Sequence, residues 1–475
     1  MPVVARSIQI QSGTFPLSHF LSAILLILIC LRSSSGLSQD RVASGLQEPS
    51  PAAEPLPAPI PVPAASDDPP QADSEPVAPG CLEQILEQQK LTRTIREIRN
   101  PLPRPEKAVA DRLKRSYSEF LSKGFTGADE TKVIQDFVTY RLMQATDPDF
   151  VSSPSNMQTL LRETENDLLR CGSGIGNPTN LLAARKKYCA EVLKVAKLLL
   201  DNNLDARFAA VTMMPMLQEV RAVPNGALAR LHGDALVTLL AVLGDKSQPD
   251  SVKAVTASAL RKVLRNCDIV EQDQFRICDA IGAELSRPCS EAAYQIVLLD
   301  AIFEITKPRR TVGPPEPTAM KIFAAVLDDK SKPLEVRCLA AMGVGRGAFD
   351  LQMKLEPLAW RIAALAGETA VEFNKQPGNP RWPECGLNLL LAFRHLSPAE
   401  ATAQQPLDRK GLMNRNENSD VIKGAAPFIT IVSVKLAENK ARFTVQELQP
   451  LAAWIQSNQP ASLVWDSNAP PIKTP

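Results

Sequence analysis

Side chains able to do chemistry are few in this chain of 475 residues. Its three histidines are too few for a His-rich metal site, and His232 and His395 have no partner at ligand spacing. That disfavours both zinc chemistry and a Ser-His-Asp triad. Nine cysteines are present, but no two lie two to four residues apart, the interval that structural zinc sites use. Gly172-Ser173-Gly174-Ile175-Gly176 looks like a phosphate-cradling loop in composition only. It lacks the Gly-Lys-Ser/Thr ending and no strand precedes it, so it reads as a helix-helix connection. Four Trp and four Tyr leave little to stack against sugar rings. No residue therefore stands out as catalytic, cofactor-binding or metal-ligating, and a protein that is not an enzyme is expected.

Whole-chain charge names no partner either, since 53 Lys+Arg against 52 Asp+Glu leave +1. Locally, Lys90 to Lys123 holds ten basic and four acidic residues. Such a surplus suits an anionic polymer or a solvated helical face. The second is favoured, because Arg93, Arg96 and Arg104 are interleaved with core-type Leu91, Ile95 and Ile98. No nucleic-acid partner is expected.

The elements that must position these residues are helical. Hydrophobic residues make up 44% of the chain, and beyond residue 80 they recur at three- and four-residue spacing, with no sustained strand alternation. Self-comparison is more telling. Residues 235–253 (ALVTLLAVLGDKSQPDSVK) agree with 319–337 (AMKIFAAVLDDKSKPLEVR) at nine of nineteen positions. The offset of 84 spans two units, because Leu285 of a degenerate middle copy falls 42 residues after Leu243. Each unit is a helix, a turn carrying Asp245 and Pro249, and a second helix from Ser251. Val252, Val255, Ala259, Val263 and Leu264 form its apolar stripe, with Lys253, Ser258, Arg261 and Lys262 off it. One such pair cannot bury its stripe, whereas stacked neighbours share a continuous core.

These residues resemble HEAT repeats, in which the first helix ends in an acidic turn and the second opens with Val or Ala followed by Arg or Lys. The matching stretches are Asp201 to Arg207, Asp245 to Lys253 and Asp329 to Arg337. Five units are read, at 185–218, 229–266, 274–305, 317–349 and 356–397. The resemblance implies an α-α superhelix. It also implies a ladder pairing Asp245 with Lys253 and Asp329 with Arg337, and a second-helix surface on which Arg207, Lys253, Arg261 and Arg337 are the nominated contacts for a protein partner. The middle unit departs from the pattern, lacking the turn Asp and basic start, and Gly343, Gly345 and Gly347 weaken the fourth unit's second helix, permit a close contact or bend, or end it early.

The ends of the chain read differently. Phe20 to Leu31 is uncharged, follows Arg6 and precedes Ser33-Ser34-Ser35-Gly36, the pattern of a secretory signal peptide at 1–36. The alternative is an uncleaved membrane anchor at 15–31, which Arg32 directly after the apolar run favours. Residues 49–79 carry 11 of the 40 prolines, so 37–80 is expected to be a disordered Pro-rich linker with a semi-rigid core at 55–63. An N-terminal helical segment follows at 81–180, then the repeat array at 181–400 and a C-terminal helical cap and tail at 401–475. No Asn-x-Ser/Thr acceptor occurs among 18 Asn, which leans toward a bacterial envelope, periplasmic or extracellular.

Eight cysteines besides Cys30 permit disulfides in an exported chain, and 105 connectivities are open. Cys171 with Cys189, or a pair within Cys267, Cys278 and Cys289, would join nearby segments, while Cys338 sits where a small buried residue belongs. The functional expectation is an exported, non-enzymatic α-solenoid scaffold that binds a protein partner in the cell envelope. The alternatives are an enzyme with its active site in a flanking helical segment, or a self-associating structural envelope protein. Oligomeric state is not legible in the sequence.

Overall fold

Helices start where the sequence supplies a cap. Asn177, Asn203, Ser419 and Thr444 each accept a backbone N–H with the side chain at the head of a helix. The structure is a computed structural model that describes residues 81–475, apart from 126, 175–176, 224–225, 394–410, 416–418 and 475. The expected signal peptide and Pro-rich linker lie outside the described residues. Among the described residues there are eighteen α-helices, and all of them belong to the unit Ser74–Pro475.

Before the array come α1 (Cys81–Arg96), α2 (Lys107–Lys123), α3 (Ala128–Met143), α4 (Pro148–Val151) and α5 (Pro154–Arg170). Helix pairs follow: α6 (Pro178–Leu199) with α7 (Leu204–Met213), α8 (Gly233–Gly244) with α9 (Asp250–Asn266), and α10 (Glu271–Leu285) with α11 (Ala292–Ile302). Next are α12 (Thr318–Asp328) with α13 (Leu334–Arg346), and α14 (Leu355–Lys375) with α15 (Trp382–Phe393). The chain ends with α16 (Leu412–Arg415), α17 (Asp420–Glu438) and α18 (Val445–Ser457). The fold is an all-α solenoid.

Two layers run through it. The second helices α7, α9, α11, α13 and α15 stack on one another, and the first helices α6, α8, α10, α12 and α14 stack beside them. The last pair is reversed, with α17 continuing the second layer on α15 and α18 closing the first against α14. Leu239, Leu260, Leu298, Leu327, Val344 and Leu389 are fully buried in one continuous core between the layers. The extra element is a two-stranded antiparallel hairpin, β1 (Gln218–Val220) and β2 (Arg230–Leu231), inserted between α7 and α8. Strands of three and two residues are too short to leave an alternation in the sequence.

The glycines of α13 are contact points and do not cut the helix short. It runs to Arg346, and a Cβ on Gly345 would sit 2.1 Å from the carbonyl oxygen of Ala392 in α15. One seam further on, a Cβ on Gly386 would sit 2.6 Å from the carbonyl oxygen of Ser433 in α17. The backbones of α13, α15 and α17 therefore touch, which only a residue without a side chain allows.

The cysteine pairing was not anticipated. Cys81 at the head of α1 is bonded to Cys289 between α10 and α11, 208 residues away. Neither Cys171–Cys189 nor a pair within Cys267, Cys278 and Cys289 forms, and those remaining cysteines are buried thiols. Apart from the disulfide, α1 is held by buried Ile95 and by the Gln88 side-chain oxygen, which accepts the Asp250 N–H at 3.2 Å. Its apolar Leu82 and Leu86 are exposed.

Two outcomes follow from this packing. Gly345→Ala should cost about 1–3 kcal/mol in a denaturant melt, the usual range for an overpacked seam. Gly244→Ala, whose Cβ would meet nothing within 4 Å, should be close to neutral. Replacing Cys81 and Cys289 together by Ser should raise hydrogen exchange across Cys81–Arg96 while the core of α13 and α15 keeps its protection; unchanged α1 protection would show the disulfide is not what holds it.

Candidate functional site

The four nominated basic residues have one feature in common: each reaches out of its own helix. Arg207 in α7 is 7% exposed, and its Nε donates to the Asn202 carbonyl at 2.7 Å. Its NH1 donates to Gln248 Oε1 at 2.7 Å, in the turn of the next unit. Gln248 in turn donates to the Leu200 carbonyl at 3.2 Å, at the open end of α6. In the copy 84 residues on, Lys332 takes the place of Gln248 and donates to the Leu285 carbonyl at 2.8 Å, at the end of α10. The residue before the helix-starting Pro249 or Pro333 thus ties each unit to its predecessor.

Lys253, placed off the apolar stripe by its spacing, is 3% exposed. It pairs with Glu284 of α10 at 3.0 Å, and Glu284 also accepts from Arg287 at 2.5 Å and from the Tyr294 hydroxyl at 2.8 Å. Arg287 completes the group with Asp250 at 2.9 Å, so one network joins α9, α10 and α11. Arg337 is 4% exposed, donates to the Leu327 carbonyl at 3.1 Å and pairs with Glu368 of α14 at 2.6 Å. Glu368 is shared with Arg361, which reaches Asp328 of α12 at 2.8 Å.

Two expectations are corrected here. Arg207, Lys253 and Arg337 are buried connectors between helices and offer no charge to a partner. The implied ladder is also absent, because Asp245 and Asp329 are spent within their own turns. Asp245 accepts from the Ser247 N–H and hydroxyl, both at 2.8 Å, and Asp329 accepts from the Ser331 N–H at 3.0 Å and hydroxyl at 2.6 Å. The repeated Asp-Lys-Ser is turn chemistry. The basic residue eight positions on finds its carboxylate on a helix that sequence comparison does not connect to it.

Arg261 is the exception. Its side chain is 37% exposed, and it meets Asp300 of α11 at 2.9 Å and Glu304, in the turn just after α11, at 3.3 Å. Arg265, 49% exposed, joins Glu304 at 2.5 Å. Burial raises the Asp300 carboxyl above its ordinary value, with Arg261 opposing and Glu304 adding to the rise. Arg261, Arg265 and Asp300 form a charged row on the second-helix layer that stays open to solvent on one side.

A second polar cluster is largely buried. The Tyr117 hydroxyl donates to Asp167 at 2.5 Å and lies 3.0 Å from the Tyr188 hydroxyl, and Arg141 pairs with Asp167 over the rings of Tyr117 and Phe137. Burial pushes both phenols up, so they stay protonated, and the cluster pins α2, α3, α5 and α6 together. Burial likewise pushes the Cys171 and Cys189 thiols up to about 12, which removes them from nucleophilic chemistry. Among the described residues no group of three His, Cys, Asp or Glu is placed to hold a metal ion, and no helix is long and apolar enough to cross a membrane.

No family model matches this chain, and no curated protein matches it. Among solved structures, human deoxyhypusine hydroxylase in complex with glycerol is similar at 12% identity and a TM-score of 0.18, over 76% of this chain and 100% of that one. A likeness at that score carries no argument.

The Lys253 network makes a pH-dependent prediction. Burial alone would raise the Glu284 carboxyl, but hydrogen bonds from Arg287, Lys253 and Tyr294 outweigh it and leave it below the ordinary 4.5. A carboxyl lowered by folding adds stability that is full above its unfolded value and is lost as the pH falls through the folded one. Glu284→Gln should therefore cost roughly 3 kcal/mol at neutral pH by leaving Lys253 without its counter-charge. The gap between wild type and variant should close as denaturant melts are stepped down below pH 4.5.

Proposed function

We propose that this protein is an exported, non-enzymatic α-solenoid scaffold of the HEAT-repeat kind, which binds a protein partner in the cell envelope along its second-helix layer. The observation that carries the reading is the set of buried ion pairs between successive units. Lys253–Glu284 and Arg337–Glu368, with Arg361–Asp328, hold neighbouring helices in a set register and give a long surface of stable shape. A scaffold needs such a surface, because affinity is lost when a binding face must be ordered on contact. The row formed by Arg261, Arg265 and Asp300 is one place where that layer offers charge.

Two features support export. One is the uncharged run Phe20 to Leu31 with its polar follow-on. The other is the Cys81–Cys289 disulfide, a bond that persists in oxidising compartments. The HEAT resemblance supports the protein-binding role, since stacked helix pairs of this kind present broad surfaces.

Affinity capture of the tagged full-length protein from its native envelope, with mass spectrometry of co-purifying chains and of its own amino terminus, tests the reading. A stoichiometric partner and a start near residue 37 are expected, and Arg261→Glu with Arg265→Glu should reduce recovery at least about tenfold, as reversed charges at an interface do. An intact Met1 would overturn the cleaved signal, and unchanged recovery would remove the charged row from the interface.

A further inference from the structure

Among the described residues, the array ends on a helix face that nothing covers. α17 packs its inner side on α15 and α14, and on the other side it presents Lys423, Pro427, Thr430, Ile431, Val434 and Glu438 to solvent. These residues fall on a single stripe, spaced three or four apart over about four turns. Its centre is apolar, with Ile431 52% and Val434 49% exposed. In a stacked array the outward face of a terminal unit is ordinarily polar. Here the apolar centre continues sideways into a shallow groove against α18, lined by Phe428, Phe443, Leu448 and Leu451.

We infer that this face is an interface between two copies of the chain, with α17 of each copy packed antiparallel against α17 of the other. The charge pattern identifies the occupant. Lys423 and Glu438 lie equally far from the Thr430–Ile431 peptide, on opposite sides of it, and so do Pro427 and Val434. A two-fold axis through that peptide sets Lys423 of each copy against Glu438 of the other and Pro427 against Val434, with Ile431 beside its own counterpart. Isologous contacts require this self-complementarity. Parallel pairing would set Lys423 against Lys423 and Glu438 against Glu438. Within the chain neither side chain is engaged: Lys423 and Glu438 have no hydrogen bond or ion pair among the described residues. This differs from Lys435 on the flank of the same helix, which pairs with Glu447 at 2.6 Å.

A four-turn helix pair is about 24 Å long and covers less than the ~800 Å² per partner of a standard stable interface. The dimer is therefore weak, with association expected in the range of about 1–100 μM. The inference is independent of the protein-partner reading and stands or falls without it.

Sedimentation equilibrium of the full-length chain, across that concentration range, tests it with charge reversals at exposed positions that leave the core untouched. Lys423→Glu and Glu438→Lys should each weaken self-association at least about tenfold, because each creates two like-charge contacts across the axis. Mixing the two variants restores both opposite-charge contacts, so the mixture should associate to within about threefold of wild type, as should the double variant. Val434→Arg should abolish association at unchanged helical content. A wild type that stays monomeric throughout, single variants that associate like wild type, or a mixture that fails to recover would each overturn the antiparallel pairing.

Discussion

A charge taken out of water at a seam between helices must meet an opposite charge there, since otherwise several kcal/mol of desolvation goes uncompensated. The order of this solenoid depends on that constraint. Apolar stripes alone let one helix pair slide or turn on the next, because Leu, Val and Ala pack almost as well one turn out of register. Lys253 meets a carboxylate in one register only, and Arg337 with Arg361 does the same two units on. Such pairs add little net stability, and their contribution is to exclude the alternatives.

The close backbone contacts at the C-terminal end work in the same direction. At Gly345 and Gly386 the helices α13, α15 and α17 approach until main chain meets main chain. A shift along the axis there would drive the next side chain into a carbonyl. The amino-terminal half reaches the same end by another route, with Tyr117, Tyr188, Asp167 and Arg141 locking four helices through one buried polar knot. In the C-terminal half these close contacts act together with the buried pairs of Arg337 and Arg361.

How much of this the sequence discloses depends on the range of the interaction. The helices are legible because their causes are local: apolar spacing, Asn and Ser caps, and prolines at first turns. The pairing of helices into units is legible because 235–253 and 319–337 repeat. What Lys253 and Arg337 do is not, since Glu284 and Glu368 lie 31 residues beyond each of them, on faces that acquire meaning only when the units stack. The repeat did hold a clue in Gln248 and Lys332, which look unalike and perform the same reach to a preceding carbonyl. The Cys81–Cys289 bond is the extreme case, with no local trace of a contact across 208 residues.

That bond also decides how force would travel. Tension arriving along the chain from its amino-terminal side reaches Cys81 first and crosses covalently to Cys289, in the corner between α10 and α11. The helices between those two cysteines hang in a closed loop and carry none of it. The load enters the array near its middle, at the unit where Lys253, Glu284, Arg287 and Tyr294 are knitted together. A pull on this molecule would therefore be borne from its waist and not from its end, and the first units would keep their shape under strain.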